Sequence, residues 1–180
     1  MEQKLKEYLF SKDAKVYAVL DGATVPDLLL KFDEMRPPYI CLYRGELAPD
    51  LAEVAPYLID LKIDTPFTNW VLKECRGRHW GIFAHSVYSI TSIRKHFRSF
   101  LTVYDEAGNP MLFRYYDPRV LTKYLPTCDA AELKILFGRV NAYFAESEDA
   151  SNLFRFRFAD EKLQQQKLSL RLDETLPKLT

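Results

Sequence analysis

Glycine is scarce in this chain, at 6 of 180 residues. So little glycine leaves no material for a phosphate-cradling loop, and no G-x-S-x-G nucleophile turn occurs. Cysteine is scarce as well: 3 residues, an odd number at scattered positions, argue against a disulfide framework and for a reducing compartment. Neither sign of charge is in excess, since 25 Lys+Arg balance 25 Asp+Glu, so the basic surplus typical of nucleic-acid binders is missing. No run approaches the roughly 20 apolar residues of a membrane span. Met1-Glu2-Gln3-Lys4 is not followed by the apolar stretch of a secretory leader, and the expected address is the cytoplasm.

What the chain does have is core-forming material. Hydrophobic residues make up 48%, and aromatics 14% through 12 Phe, 11 Tyr and 2 Trp. A chain of this length and composition suits one globular domain and excludes a disordered tail.

The hydrophobic pattern alternates between helical and extended segments. Leu5, Tyr8 and Leu9 are spaced for a short helix, and Lys15 to Asp21 has strand character before a turn at Asp21-Gly22-Ala23. Thr24 with Asp27 fits a capping box for a helix carrying Leu28, Leu29, Phe32 and Met35. Tyr39–Tyr43, Tyr57–Leu61 and Trp80–Ala84 predict further buried strands, with a loop framed by Pro49 and Pro56 and a helix opened by Thr65-Pro66. Ser89 to Leu101 is the clearest amphipathic helix, with Ile90, Ile93, Phe97 and Leu101 on one stripe and Arg94, Lys95 and Arg98 off it. A β-hairpin is expected around Ala107-Gly108-Asn109, a helix after Asp117-Pro118, a capping box at Asp129 and Glu132, and a strand near 139–144. Phe154, Phe156 and Phe158 alternate with Arg155 and Arg157, and Leu168, Leu170 and Leu172 with Ser169 and Arg171, as in strands wet on one face. The expectation is a single α/β domain: a mixed sheet flanked by helices, with antiparallel C-terminal strands near an edge.

The search for catalytic chemistry returns little. Cys75-x-x-x-His79 with His85 beyond has a faint zinc-ligand look, but the other cysteines are at 41 and 128, and structural zinc takes four ligands in tight pairs. Cys41 with His85 and Asp60 could be imagined as a nucleophile set, yet Cys41 sits mid-run among apolar neighbours, as buried Cys does. Ser86 beside His85 is no better, because a triad is defined by spatial geometry. No metal and no cofactor are expected.

The most unusual segment is Phe113-Arg114-Tyr115-Tyr116-Asp117-Pro118-Arg119-Val120-Leu121. Arg119 falls in the first turn of a helix, where the dipole disfavours a cation by about 0.3–1 kcal/mol. A carboxylate should offset this. Asp117 is the expected cap, and Asp21 the expected partner of Arg114 or Arg119.

Several segments, in order, carry a likeness: Val19-Leu20-Asp21-Gly22-Ala23, Cys41-Leu42-Tyr43-Arg44-Gly45, Val54-Ala55-Pro56-Tyr57-Leu58, Trp80-Gly81, Ile93 to Arg98, Phe113 to Leu121, and Phe137-Gly138. This series resembles the effector-adaptor domain of bacterial type VI secretion, the Tap or TEC adaptor family. The likeness runs from about residue 16 to 145, and F-R-Y-Y-D-P-R is its specific part. The chain departs from the family at Ile93 and Phe97, where Leu is more frequent, and at Arg139, where Pro is more usual. The organisation it implies is an adaptor-like α/β domain over 1–145, with C-terminal strands or a tail over 146–180 packed on the same domain. The function it implies is non-enzymatic: binding a toxic effector in the producing cell and helping to load it onto the VgrG spike protein. The residues alone also admit an RNA-binding module using the basic helix, or a small hydrolase with a non-sequential site.

The expected partner surface is Arg94, Lys95 and Arg98 together with Phe154, Arg155, Phe156 and Arg157, where an edge strand would accept an effector segment. Asp21, Gly22, Arg114, Tyr115, Tyr116, Asp117, Pro118 and Arg119 are expected to serve the scaffold.

Overall fold

A computed structural model describes residues 2–11 and 14–171. Its elements run α1 (Glu2–Phe10), β1 (Lys15–Asp21), α2 (Leu28–Met35), β2 (Tyr39–Cys41), α3 (Pro49–Glu53), β3 (Pro56–Leu61), α4 (Pro66–Glu74), β4 (Gly81–Ser86) and α5 (Ile90–Arg98). They continue as β5 (Thr102–Tyr104), β6 (Pro110–Leu112), α6 (Pro118–Tyr124), α7 (Ala130–Phe137), β7 (Ala142–Glu146), β8 (Asn152–Ala159) and β9 (Lys162–Ser169).

Among the described residues, seven strands form one sheet in the order β2-β3-β1-β4-β7-β8-β9, while β5 and β6 pair only with each other. The expected α/β domain with antiparallel C-terminal strands is what the chain adopts. Within it, the expected mixture of strand directions is corrected: every ladder is antiparallel. The mixture was inferred from apolar runs such as Val16–Leu20, which suggest burial on both faces. That burial exists, but helices deliver it without parallel pairing. β3 and β4 both run opposite to β1, which lies between them, so α4 crosses over an inserted strand.

Two cores lie on opposite faces of the sheet. On one, α1, α2 and α4 supply Leu9, Phe32, Phe67 and Val71 against Val16, Ala18 and Ile59. On the other, α5, α6 and α7 supply Phe97, Leu121 and Phe137 against Tyr17, Val19 and Tyr143. Neighbouring strand residues point to alternate faces, so β1 feeds both cores. Gly81 marks the tightest approach: a Cβ there would lie 1.9 Å from the Val19 carbonyl oxygen.

Local signals hold at most helix starts. Ser89 caps α5, Asp117 caps α6, and Asp129 with Glu132 forms a reciprocal capping box on α7. The expected Thr24–Asp27 box does not form. Asp27 is itself the N-cap of α2, in a left-handed conformation without a side-chain cap bond, and the Thr24 hydroxyl donates to the Asp21 carbonyl. The turn after β1 takes both residues before a helix can start. Two further expectations change. The Pro49–Pro56 loop contains α3, and the strand at Tyr39 is a short, partly exposed edge rather than a buried one.

The strands at 152–169 extend the same sheet, and Leu153, Phe156 and Leu170 enter its cores. β9 ends at Ser169, so Leu170 lies beyond the ladder, and Leu172 lies outside the described residues.

Candidate partner-binding surface

The F-R-Y-Y-D-P-R segment returns to the turn after β1. Arg114 forms an ion pair with Asp21, a buried carboxylate. The second Asp21 oxygen accepts the Ala23 amide at 3.1 Å, which holds the turn. A Cβ at Gly22 would lie 2.5 Å from the Glu53 carbonyl oxygen, so this turn packs directly on the end of α3. Burial works against the Arg114 charge, but Asp21, Tyr116 and Asp117 outweigh it and raise the guanidinium pKa. Burial, with the Asp21 charge behind it, also raises the phenol pKa of Tyr43 and of Tyr116.

Arg119 meets its carboxylate next door. Asp117 accepts the Arg119 amide at 2.9 Å as the helix cap, and accepts the guanidinium at 3.0 and 2.7 Å. One side chain thereby offsets both the orphan N–H and the misplaced cation. Burial raises the Asp117 pKa, and the Arg119 bonds overcome it, leaving a net lowering. Pro118 occupies the first helical turn, and Tyr115 is fully buried, donating to the Phe97 carbonyl at 3.1 Å.

The basic helix is not a plain solvated face. Arg94 Nε donates to the Cys41 carbonyl at 3.1 Å, and Arg98 Nε to the Leu42 carbonyl at 2.8 Å, with Arg98 Nη2 on Tyr43 O. These bonds tie α5 to the chain leaving β2. Lys95 remains exposed. Burial lowers the Arg98 pKa, and Arg94 and Arg44 push in the same direction. Among the described residues, no ion pair joins Arg44, Arg94 or Arg98 to a carboxylate.

The C-terminal strands lie elsewhere. β2, whose chain receives Arg94 and Arg98, and β8, which carries Phe154–Arg157, are five strand spacings apart in the sheet, about 24 Å at the usual ~4.8 Å. The two groups expected to form one partner surface are therefore separated. In β8, Phe156 is fully buried as a core residue, with Phe154 and Phe158 packed at the same core's margin. Arg157 is exposed, whereas Arg155 is half-buried and its Nε has no hydrogen-bond partner among the described residues.

The imagined catalytic sets do not assemble. Cys41 aligns through Tyr57 and Leu20 with Gly81, at the far end of β4 from His85. His85 Nε2 donates to the Leu9 carbonyl at 2.6 Å, and Ser86 donates to the Arg139 carbonyl at 2.7 Å. Cys75 and His79 line a small apolar cavity of about 20 Å³ with Glu146, where burial pushes the Cys75 thiol up to about 12. Burial also raises Cys41 and Cys128, so each thiol is held protonated at neutral pH. Among the described residues, no three His, Cys, Asp or Glu come together as a metal site.

One surface was not foreseen. A groove of about 490 Å³ runs between Tyr43, Arg44 and Arg98 on one side and Leu101, Tyr104 and Leu112 on the other. Its far wall is the β5–β6 hairpin, whose six ladder residues are all exposed. Its apolar residues follow one another as Val103-Tyr104 and Met111-Leu112, without the alternation of a half-buried strand. Consecutive apolar residues on a strand suggest burial rather than exposure, so no residue pattern pointed to this surface.

All of these residues fall inside a match to a protein-family model. The model is described as a domain of unknown function, DUF4123, and it matches residues 16–134. The chain belongs to the DUF4123 family. No curated protein and no solved structure matches it. The DUF4123 match takes in the Asp21 turn, the α5 arginines, the hairpin and F-R-Y-Y-D-P-R, and it stops within α7, before the C-terminal strands. Among the described residues, no helix is long and apolar enough to cross a membrane.

Proposed function

We propose that this chain is a cytoplasmic adaptor of a bacterial type VI secretion system, which binds a toxic effector and helps load it onto the VgrG spike. The observation that carries this reading is membership of the DUF4123 family over residues 16–134, joined to the ordered likeness with Tap/TEC adaptors between Val19 and Gly138. The geometry agrees with a non-enzymatic role, because the nucleophile sets considered are taken apart by the fold and the thiols are held protonated. An RNA-binding role has less support, since the chain carries no basic excess, with 25 Lys+Arg against 25 Asp+Glu.

The test is affinity purification of the tagged full chain from its native host, with co-purifying proteins identified by mass spectrometry. Deletion of the gene is assayed in parallel for effector delivery. A secreted toxin and VgrG are expected to co-purify, and delivery should fail on deletion. Delivery that persists unchanged without the chain would overturn the proposal.

A further inference from the structure

We propose that the β5–β6 hairpin and the arginine-lined groove beside it form the docking surface for an acidic, apolar segment of the partner protein. For the partner's identity as the effector, this rests on the adaptor reading.

The hairpin leaves α5 at Leu101 and returns at Phe113, whose amide donates to the Leu101 carbonyl at 2.9 Å. It adds no strand to the main sheet. Val103, Tyr104, Met111 and Leu112 are 37%, 69%, 48% and 51% exposed. Val103 pairs across the ladder with Met111, so one face is aliphatic, and Tyr104 and Leu112 put the other against the groove. Contiguous exposed apolar residues of this kind mark interaction sites.

The opposite wall supplies charge. Arg44 and Arg98 line the groove, and Arg94 stands one helical turn from Arg98. The charges of Arg94 and Arg44 both bear on Arg98, and none of the three has a carboxylate partner among the described residues. Arg94 and Arg98 are fixed in place by the Cys41–Tyr43 carbonyls, which orders them before any partner arrives. A segment carrying Asp or Glu beside Leu, Ile or Phe satisfies both walls at once. The chain's balance of 25 Lys+Arg against 25 Asp+Glu, with the exposed Leu112 beside Tyr104 in the groove, favours a polypeptide over a nucleic acid.

The test pans a phage-displayed library of random dodecapeptides on the intact protein. Enriched peptides are then measured against Tyr104→Ser/Leu112→Ser, against Arg44→Glu, and against Gln165→Ala on the distant edge strand β9. Acidic peptides with apolar anchors are expected to be enriched. They should lose about tenfold or more in affinity for the first two variants, the scale of an interface anchor, and bind Gln165→Ala as they bind the parent. Enrichment of no peptide, of basic peptides, or of peptides that bind all variants alike overturns the proposal. So does a poly(U) oligonucleotide whose binding depends on Arg44 and displaces the peptides, or a wild-type dimer by light scattering that the serine variant dissolves. If the serine variant loses its thermal transition, benzoylphenylalanine at Tyr104 in the otherwise intact chain reads the contact, and its failure to cross-link an enriched peptide counts against docking there. Peptide binding does not depend on which protein co-purifies in the host, so this surface and the adaptor reading can fail separately.

Discussion

A single buried carboxylate organises the segment that distinguishes this sequence. Asp21 is 3% exposed, and Arg114 reaches it across 93 residues of chain. Removing Arg114 would leave that carboxylate without its ion-pair partner. For a fully buried pair the loss runs about 3–5 kcal/mol, but Arg114 is itself partly exposed and water recovers some of it. Arg114→Ala is expected to cost about 2 kcal/mol by urea denaturation, while Arg114→Lys keeps the charge but not the fork and recovers only part. Asp117 does a more local job. Asp117→Ala should lose about 1 kcal/mol from the α6 cap, and Asp117→Asn should retain most of the cap while leaving Arg119 without its carboxylate. A variant at Asp117 with parental stability would remove it from the scaffold.

Among the elements, α5 has the most varied duties. Phe97 fills a core, Arg94 and Arg98 hold the chain after β2, and His96 Nε2 donates to the Leu136 carbonyl of α7 at 2.9 Å. Burial lowers the His96 pKa from its ordinary 6.5, and the nearby Arg139 charge adds to that, against the opposing pull of the Leu136 bond. The sign follows from proton binding. Below 6.5 the unfolded chain takes up a proton that the folded chain resists, so acid favours unfolding. The melting temperature is expected to fall as pH drops below 6.5, and His96→Gln should flatten that part of the profile. An unchanged profile in His96→Gln would assign the acid sensitivity to other groups. The small ladder β5–β6 has the opposite character, contributing little burial and standing apart from the sheet.

At the scale of the molecule, two helical layers cover an antiparallel sheet and leave two edges, β2 and β9. Basic residues occur near both, which makes them easy to merge when only the sequence is read. Arg157 lies on β8, next to the far edge from the hairpin groove. Arg157→Glu is therefore expected to leave both stability and effector capture unchanged, since exposed substitutions usually stay within about 0.5 kcal/mol. Capture measured by pull-down at low and moderate salt checks this. A selective loss in Arg157→Glu would move the binding surface to the C-terminal strands. Arg155 is a poorer probe, because its half-buried stem packs and its substitution would disturb β8 as well.

The order of helices and strands apart from α3, the caps at Asp117 and Asp129, and Asp21 as the partner of Arg114 or Arg119 were legible in the residues. Each rests on short-range chemistry or on one compensating charge: a carboxylate beside an orphan N–H, an apolar stripe at helical spacing, a cation that needs an anion. The Thr24–Asp27 box failed because two local motifs competed for the same residues and the turn after β1 won. Strand direction was beyond the pattern, because an apolar run records burial on both faces and not the direction of its neighbour. The fate of Arg94 and Arg98 was likewise settled only by packing: the carbonyls that receive them lie more than 50 residues away in sequence, and no periodicity within the helix points to them. The hairpin and its groove belong to the same class. Two short strands become an exposed surface only because the sheet completes itself without them, and that is a property of the assembled fold.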